Sequence, residues 1–145
     1  MKKNIVSLLL LVNLANADFI RDNQKEVVVD TATNLMWQDS NETNTTKRDW
    51  SEALSYCESL DFAGYSDWHL PNINELFGVV DISVFNPAMS SKFKSVVSAG
   101  NYWSSTTVAY VTPFAWSITF NYGQINQGDP KTQKNFVRCF RVLKN

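Results

Sequence analysis

"DWSEALSYCESL", residues 49–60, is the stretch whose reading decides the fold. Trp50, Ala53, Leu54, Cys57 and Leu60 fall at i, i+3, i+4, i+7 and i+10, one face of a 3.6-residue period. Asp49 offers a side-chain acceptor ahead of the first turn, and Glu52, three residues on, completes a capping-box spacing. The stretch is therefore an amphipathic helix, with Cys57 on its buried stripe. The second of the two cysteines, Cys139, sits in "FVRCFRVL", residues 136–143, which reads as a closing strand. In an oxidising compartment an even count points to a disulfide, and two cysteines allow one intramolecular pairing, Cys57 with Cys139. That link would close most of the chain into one loop, for which chain-entropy arguments give roughly 4 kcal/mol. A reactive thiol would instead need an activating His or second Cys beside it, and neither cysteine has one.

The compartment is read from the N-terminus. "MKKNIVSLLLLVNLANA" joins a charged start (Lys2, Lys3), an apolar run from Ile5 to Leu14 and an A-x-A site at Ala15–Ala17. These are the three parts of a secretory signal peptide, and the run is too short to span a bilayer, which takes about 20 residues. Residues 1–17 are expected to be removed, and 18–145 to form one domain; 145 residues less 17 leave 128. Thirteen Lys and Arg then fall to eleven against fourteen Asp and Glu, a formal charge of −3. A mildly acidic domain has no electrostatic reason to bind nucleic acid. Aromatic residues make up 13% of the chain, with five Trp, a supply of side chains that combine apolar area with a polar tip.

Around the first helix the chain alternates sheet and loop. "EVVVDTATNLMWQD" (26–39) reads as two short strands about a turn. "SNETNTTKR" (40–48) has no apolar residue and reads as a surface loop. Leu70-Pro71 sets an extended backbone; Asn72 then caps a second helix, with Glu75 at N3 and Ile73, Leu76, Phe77 and Val80 as its apolar face. Residues 82–100 read as irregular, anchored by Phe85, Pro87, Met89 and Phe93. "NYWSSTT" (101–107) and "FAWSITF" (114–120) read as strands, the latter half-buried, with Phe114, Trp116, Ile118 and Phe120 on one face. Residues 124–135 read mostly as loop. The sum is an α+β domain, two helices on a mostly antiparallel sheet of short strands, with one disulfide.

Five motifs occur in order: D-x-x-T-x-L-M-W (Asp30–Trp37), A-G-Y-S-D-W-x-L-P-x-x-x-E-L (Ala63–Leu76), Y-W-S-S-T (Tyr102–Thr106), A-W-x-I-x-F-x-x-G (Ala115–Gly123) and V-R-C-x-R (Val137–Arg141). Together they resemble the Lcl C-terminal domain family, named for a bacterial collagen-like adhesin, over about residues 30 to 142. The resemblance implies a C-type-lectin-like fold, which formylglycine-generating enzymes share, and a helix-to-last-strand disulfide like the one inferred above. The family commonly has Arg where this chain has His69. The named adhesin domain follows a collagen-like stalk and is associated with sulfated glycans. This chain has no Gly-X-Y repeat and is acidic, which points away from that ligand.

His69 is the only histidine. A catalytic His needs a partner that orients it, and a zinc site needs more His and Cys than are available here, so a structural or surface role is expected. Formylglycine-generating chemistry would need two cysteines close together near the C-terminus, where only Cys139 stands. Calcium takes six to eight oxygens. Asp67, Asp81, Asn86, Asn101 and Asp129 are scattered, so no cofactor is expected, with calcium the one cation to consider. Ligand contacts fall to the loops between the late strands, with Tyr110, Tyr122, Gln124, Asn126, Lys131 and Lys134 as candidates. Their amides and hydroxyls can bond sugar hydroxyls, and tyrosine rings can stack on sugar faces. Asn41 and Asn44 each open an N-x-T sequon with an acid two residues earlier, Asp39 and Glu42, and are candidate glycosylation sites. The sequence thus describes an exported binding module, periplasmic or at the cell surface, recognising a glycan or an envelope or host surface protein in an adhesion-like role. An enzyme related to the formylglycine-generating fold is the alternative.

Overall fold

The computed structural model describes residues 18–144, so the signal peptide expected at 1–17 lies outside the described residues. The chain runs β1 (Phe19–Asp22), β2 (Val27–Asp30), β3 (Leu35–Gln38), α1 (Glu42–Thr45), β4 (Lys47–Arg48), α2 (Trp50–Glu58), α3 (Ile73–Phe77), β5 (Asn101–Thr107), β6 (Phe114–Thr119), β7 (Gln124–Pro130), β8 (Asn135–Phe136) and β9 (Phe140–Val142). One sheet has the order β1-β2-β3-β9 and the other β4-β8-β5-β6-β7. Every pairing is antiparallel except the single parallel bridge of Tyr102 with Phe136. The first and last parts of the chain therefore share a sheet.

Both larger helices begin as their sequences predict. Asp49 accepts the Glu52 N–H while the Glu52 carboxylate accepts the Asp49 N–H, each at 2.9 Å. Asn72 and Glu75 repeat the arrangement at α3. Reciprocal capping satisfies donors that a helix start leaves orphaned. Ala53 and Cys57 are buried, and Cys57 is bonded to Cys139 with their Cα atoms 5.6 Å apart. Trp68, Trp103 and Val137 pack round that bridge. A second cluster of Trp37, Leu76, Tyr102, Ile118, Phe120 and Phe140 fills the space between α3 and the two sheets.

A buried ionic knot ties the sheets together. Arg138, fully buried, donates to the Gln38 carbonyl and to Asp39 Oδ1, both at 2.7 Å, and to the Ser95 carbonyl at 2.6 Å. Asp39 also accepts the Lys94 and Ser95 N–H groups and pairs with Arg21. A buried charge is tolerable only with partners of this kind, which here meet both terminal nitrogens of Arg138 and leave its Nε unpaired.

The structure departs from the sequence expectations in several places. Residues 40–48 are not simply a surface loop: they hold α1 and β4, and Ser40 and Thr43 are buried. Their polar groups go inward because backbone meets them there; the single hydroxyl proton of Thr43 has the Ser40 and Ser95 carbonyls in reach, at 2.7 and 2.8 Å from Oγ1. Residues 124–130 form a strand, since β6 supplies the ladder partner for a polar sequence. β1 was not foreseen. Cys139 stands between β8 and β9 rather than inside one strand, at the point where the chain crosses from one sheet to the other. Along β6 the expected one-sided burial fails: Ala115 and Ser117 are buried while Phe114 and Trp116 are only half-buried. A register shift between Ala115 and Ser117 and cover on both faces account for it. Phe77 and Phe85, assigned to the interior, are exposed.

Candidate functional site

The six candidate ligand residues divide between the two ends of β6. Tyr110 lies in the connection before it and Tyr122 in the turn after it. A six-residue strand separates those ends by about 20 Å. Gln124, opposite Thr119, belongs to the Tyr122 end; Lys131 and Lys134 follow Pro130, opposite Phe114, at the Tyr110 end. The structure therefore does not gather the six into one site.

At the Tyr110 end the cations already have structural partners. Lys131 Nζ donates to Thr107 Oγ1 at 2.9 Å and lies 4.0 Å from the centre of the Trp50 ring. Its carbonyl accepts the Trp50 N–H, so the residue bolts the start of α2 to the sheet. Lys134 stands 3.8 Å from Glu52, both exposed, a pair that contributes little in water. Tyr110 itself is 75% exposed. Asn126, midway, is held within the sheet and donates to Ser117 Oγ. It belongs to a network centred on Asp129 Oδ2, which accepts from Asn101, Ser117 and Asn135 at 3.0, 2.6 and 2.8 Å. With its carboxylate so occupied, Asp129 serves the fold.

The Tyr122 end is built differently. Tyr122 and Phe85 stack at 6.3 Å between ring centres and 19° between planes, yet are 61% and 71% exposed. Each ring comes from a different loop, and the loops are laced together by backbone. The Asn86 N–H donates to the Asn121 carbonyl at 2.8 Å, and the Ala88 N–H to the Phe120 carbonyl at 2.6 Å. Gly123 permits the approach: a Cβ there would stand 2.4 Å from Val80 Cγ1, and its φ of +70° favours glycine. The stack is thus held on a firm base. Asn86, Asn121 and Gln124 are near neighbours of the two rings in sequence. Phe85 and Asn86 were missed in the sequence, because "ISVFNPA" offers no period that distinguishes an anchor from an exposed ring.

Elsewhere the motif residues serve the fold. The N–H and C=O of His69 pair with Phe140, and its exposed ring sits 3.0 Å from Glu58. Arg141 grips Asp67 with Nε at 2.6 Å and Nη2 at 3.2 Å and lies over the Tyr65 ring. That hydrogen bonding holds the Asp67 carboxyl down to about 2. Burial pushes the Tyr102 hydroxyl up, against the opposing charge of Arg138. Among the described residues no three His, Cys, Asp or Glu side chains stand close enough to hold a metal ion. Asn41 is exposed, whereas Asn44 is half-buried with its side-chain oxygen enclosed.

The model of the Lcl C-terminal domain matches residues 26–141. The chain belongs to the Lcl C-terminal domain family. No curated protein sequence matches it. The matched span runs from the first turn after β1 to Arg141, so this Lcl C-terminal domain takes in α2, the disulfide, the Arg138 knot and the Phe85–Tyr122 pair. No helix among the described residues is long and apolar enough to cross a membrane.

Proposed function

We propose that this Lcl C-terminal domain is an exported recognition module that binds a glycan or a protein at the cell envelope, in an adhesion-like role. The single observation behind this is the stacked, solvent-facing Phe85–Tyr122 pair on two laced loops, with Asn86, Asn121 and Gln124 close by in sequence. Two large aromatic rings left in water lose hydrophobic stabilisation unless something covers them. Their C–H-binding faces and the amides close by in sequence match the alternating apolar and hydroxyl surface of a sugar. A glycan is therefore the first ligand class to test.

A C-type-lectin-like arrangement is part of this proposal. A helix bonded through a disulfide to the final crossing segment, and late strands that carry the candidate ligand loops, support it. Export is supported by the leader signal and by a buried disulfide, which persists in oxidising compartments. The module works without a cofactor in this proposal. Asn41 is the better placed of the two candidate glycan acceptors, being the exposed one.

A glycan array probed with the exported chain tests the proposal. Signal on a related group of glycans is expected. A flat array together with a single captured protein would transfer the role to protein recognition; a flat array with no captured partner would overturn the module.

A further inference from the structure

The β1-β2-β3-β9 sheet ends on an open edge. Among the described residues the backbone groups of Phe19–Asp22 pair only with β2. In an antiparallel pair every second residue turns its N–H and C=O outward, so half of this strand's ladder groups point away from the sheet. The other end is closed, because Phe140 of β9 exchanges hydrogen bonds with His69.

A cleft of about 390 Å³ follows the open edge. Asp18, Phe19, Ile20 and Arg21 form one wall, and Ser91, Lys92 and Lys94 face them. Phe19, Ser91 and Lys94 also line a larger groove of about 1150 Å³, whose walls include Val80, Pro87, Met89, Phe93 and Val96. The cleft is preformed. Arg21 reaches under it to Asp39 and to the Lys92 carbonyl, while Asp39 holds the Lys94 and Ser95 N–H groups from the far wall. Two arginines, Arg21 and Arg138, share that one carboxylate. Lys92 and Lys94 are exposed, and neither pairs with a carboxylate among the described residues. Asp39 is spent on the two arginines and on backbone N–H groups; of the other acids, Asp18 lines the cleft and Asp81, engaged with Ser83, lines the groove. The far wall is therefore positive and the adjoining groove apolar.

We propose that β1 is a strand-addition site for an extended protein segment that alternates apolar and acidic side chains. The segment's backbone completes the ladder that β1 leaves open, its apolar side chains enter the groove beyond Phe19, and a carboxylate meets Lys92 and Lys94. A row of N–H and C=O groups is matched by another strand rather than by a sugar. A second copy pairing β1 to β1 would bring the unpaired Lys92 and Lys94 of both copies to one seam, which like charge opposes. The leader carries Lys2 and Lys3 and no acid, so it does not suit the lysines either. The groove borders the loop that carries Phe85, through Val84 and Pro87, but neither Phe85 nor Tyr122 lines it, and protection of β1 is read apart from the two rings.

Random octapeptides displayed on phage, selected on the immobilised exported chain at low salt, test the site. Enrichment of β-branched residues with Asp or Glu is expected, and a selected peptide should slow hydrogen exchange at residues 19–22. The exposed double substitution Lys92→Glu/Lys94→Glu, checked for unchanged melting, should weaken that peptide about tenfold and turn the selection toward basic sequences. Failure to enrich any peptide would overturn the proposal. So would protection away from β1, or binding that ignores the charge reversal. Concentration-dependent protection of the same amides with no peptide present would assign the edge to a second copy, against the proposal.

Discussion

At the scale of single residues, Arg138 and Asp67 show how differently two ion pairs behave. Arg138 and Asp39 are wholly removed from water; both terminal nitrogens of Arg138 are bonded, and its Nε is a buried donor with no partner. Replacing Arg138 by Met leaves Asp39 to Arg21, strands the Gln38 carbonyl and leaves the Ser95 carbonyl to Thr43 Oγ1. A loss of about 3–5 kcal/mol in urea unfolding is expected. Asp67 is a third exposed, so its pairing with Arg141 is partly screened by water. Its depressed carboxyl gives stability that is full above the ordinary carboxylate value of 3.8 and is lost as pH falls through about 2. Asp67→Asn should therefore flatten the acid limb of a melting-temperature profile across that window, and leave the slope near neutrality unchanged. Both arginines lie in the V-R-C-x-R motif, but nothing in one sequence tells which is buried whole. That depends on Asp39 arriving from a segment that reads as loop.

At the scale of elements, capping and periodicity were legible where local chemistry decides the outcome. The α2 and α3 starts, the β2–β3 hairpin and the inward aim of Cys57 all follow from spacing over a few residues. β7 was not legible, because "QINQGDP" has neither alternation nor β-branched density. It is a strand because β6 lies beside it and Asp129 finds three donors across the sheet. Asp129→Ala would leave those donors without their acceptor. Thermal unfolding should show a cost of about 1–3 kcal/mol, while Asn126→Ala, at the margin of the network, should cost less. The candidate binding residues suffered from the same blindness. Tyr122 was visible as a loop aromatic, but its partner Phe85 comes from a distant irregular segment whose placement only tertiary packing fixes.

At the scale of the whole molecule, the disulfide and the Arg138 knot join the early helix, the early hairpin and the C-terminal segment into one body. The late loops project from that body. The pairing of Cys57 and Cys139 was readable because two cysteines allow one bond; the two-sheet division was not, because the C-terminal segment reads as a single strand. Substituting both cysteines by serine should lower stability by about 2–5 kcal/mol, measured by urea unfolding of the variant against the parent with its disulfide intact. Binding at the proposed Phe85–Tyr122 surface should persist wherever the domain still folds.

The most direct test compares glycan-array binding of the exported chain with that of a Phe85→Ala/Tyr122→Ala double variant. Both rings are exposed, so melting should be nearly unchanged. Selective signal for the parent and at least about a tenfold loss for the variant are expected, in line with the 1–3 kcal/mol that stacking on aromatic side chains typically contributes. Equal glycan signal from the two proteins would contradict the assignment of recognition to this pair.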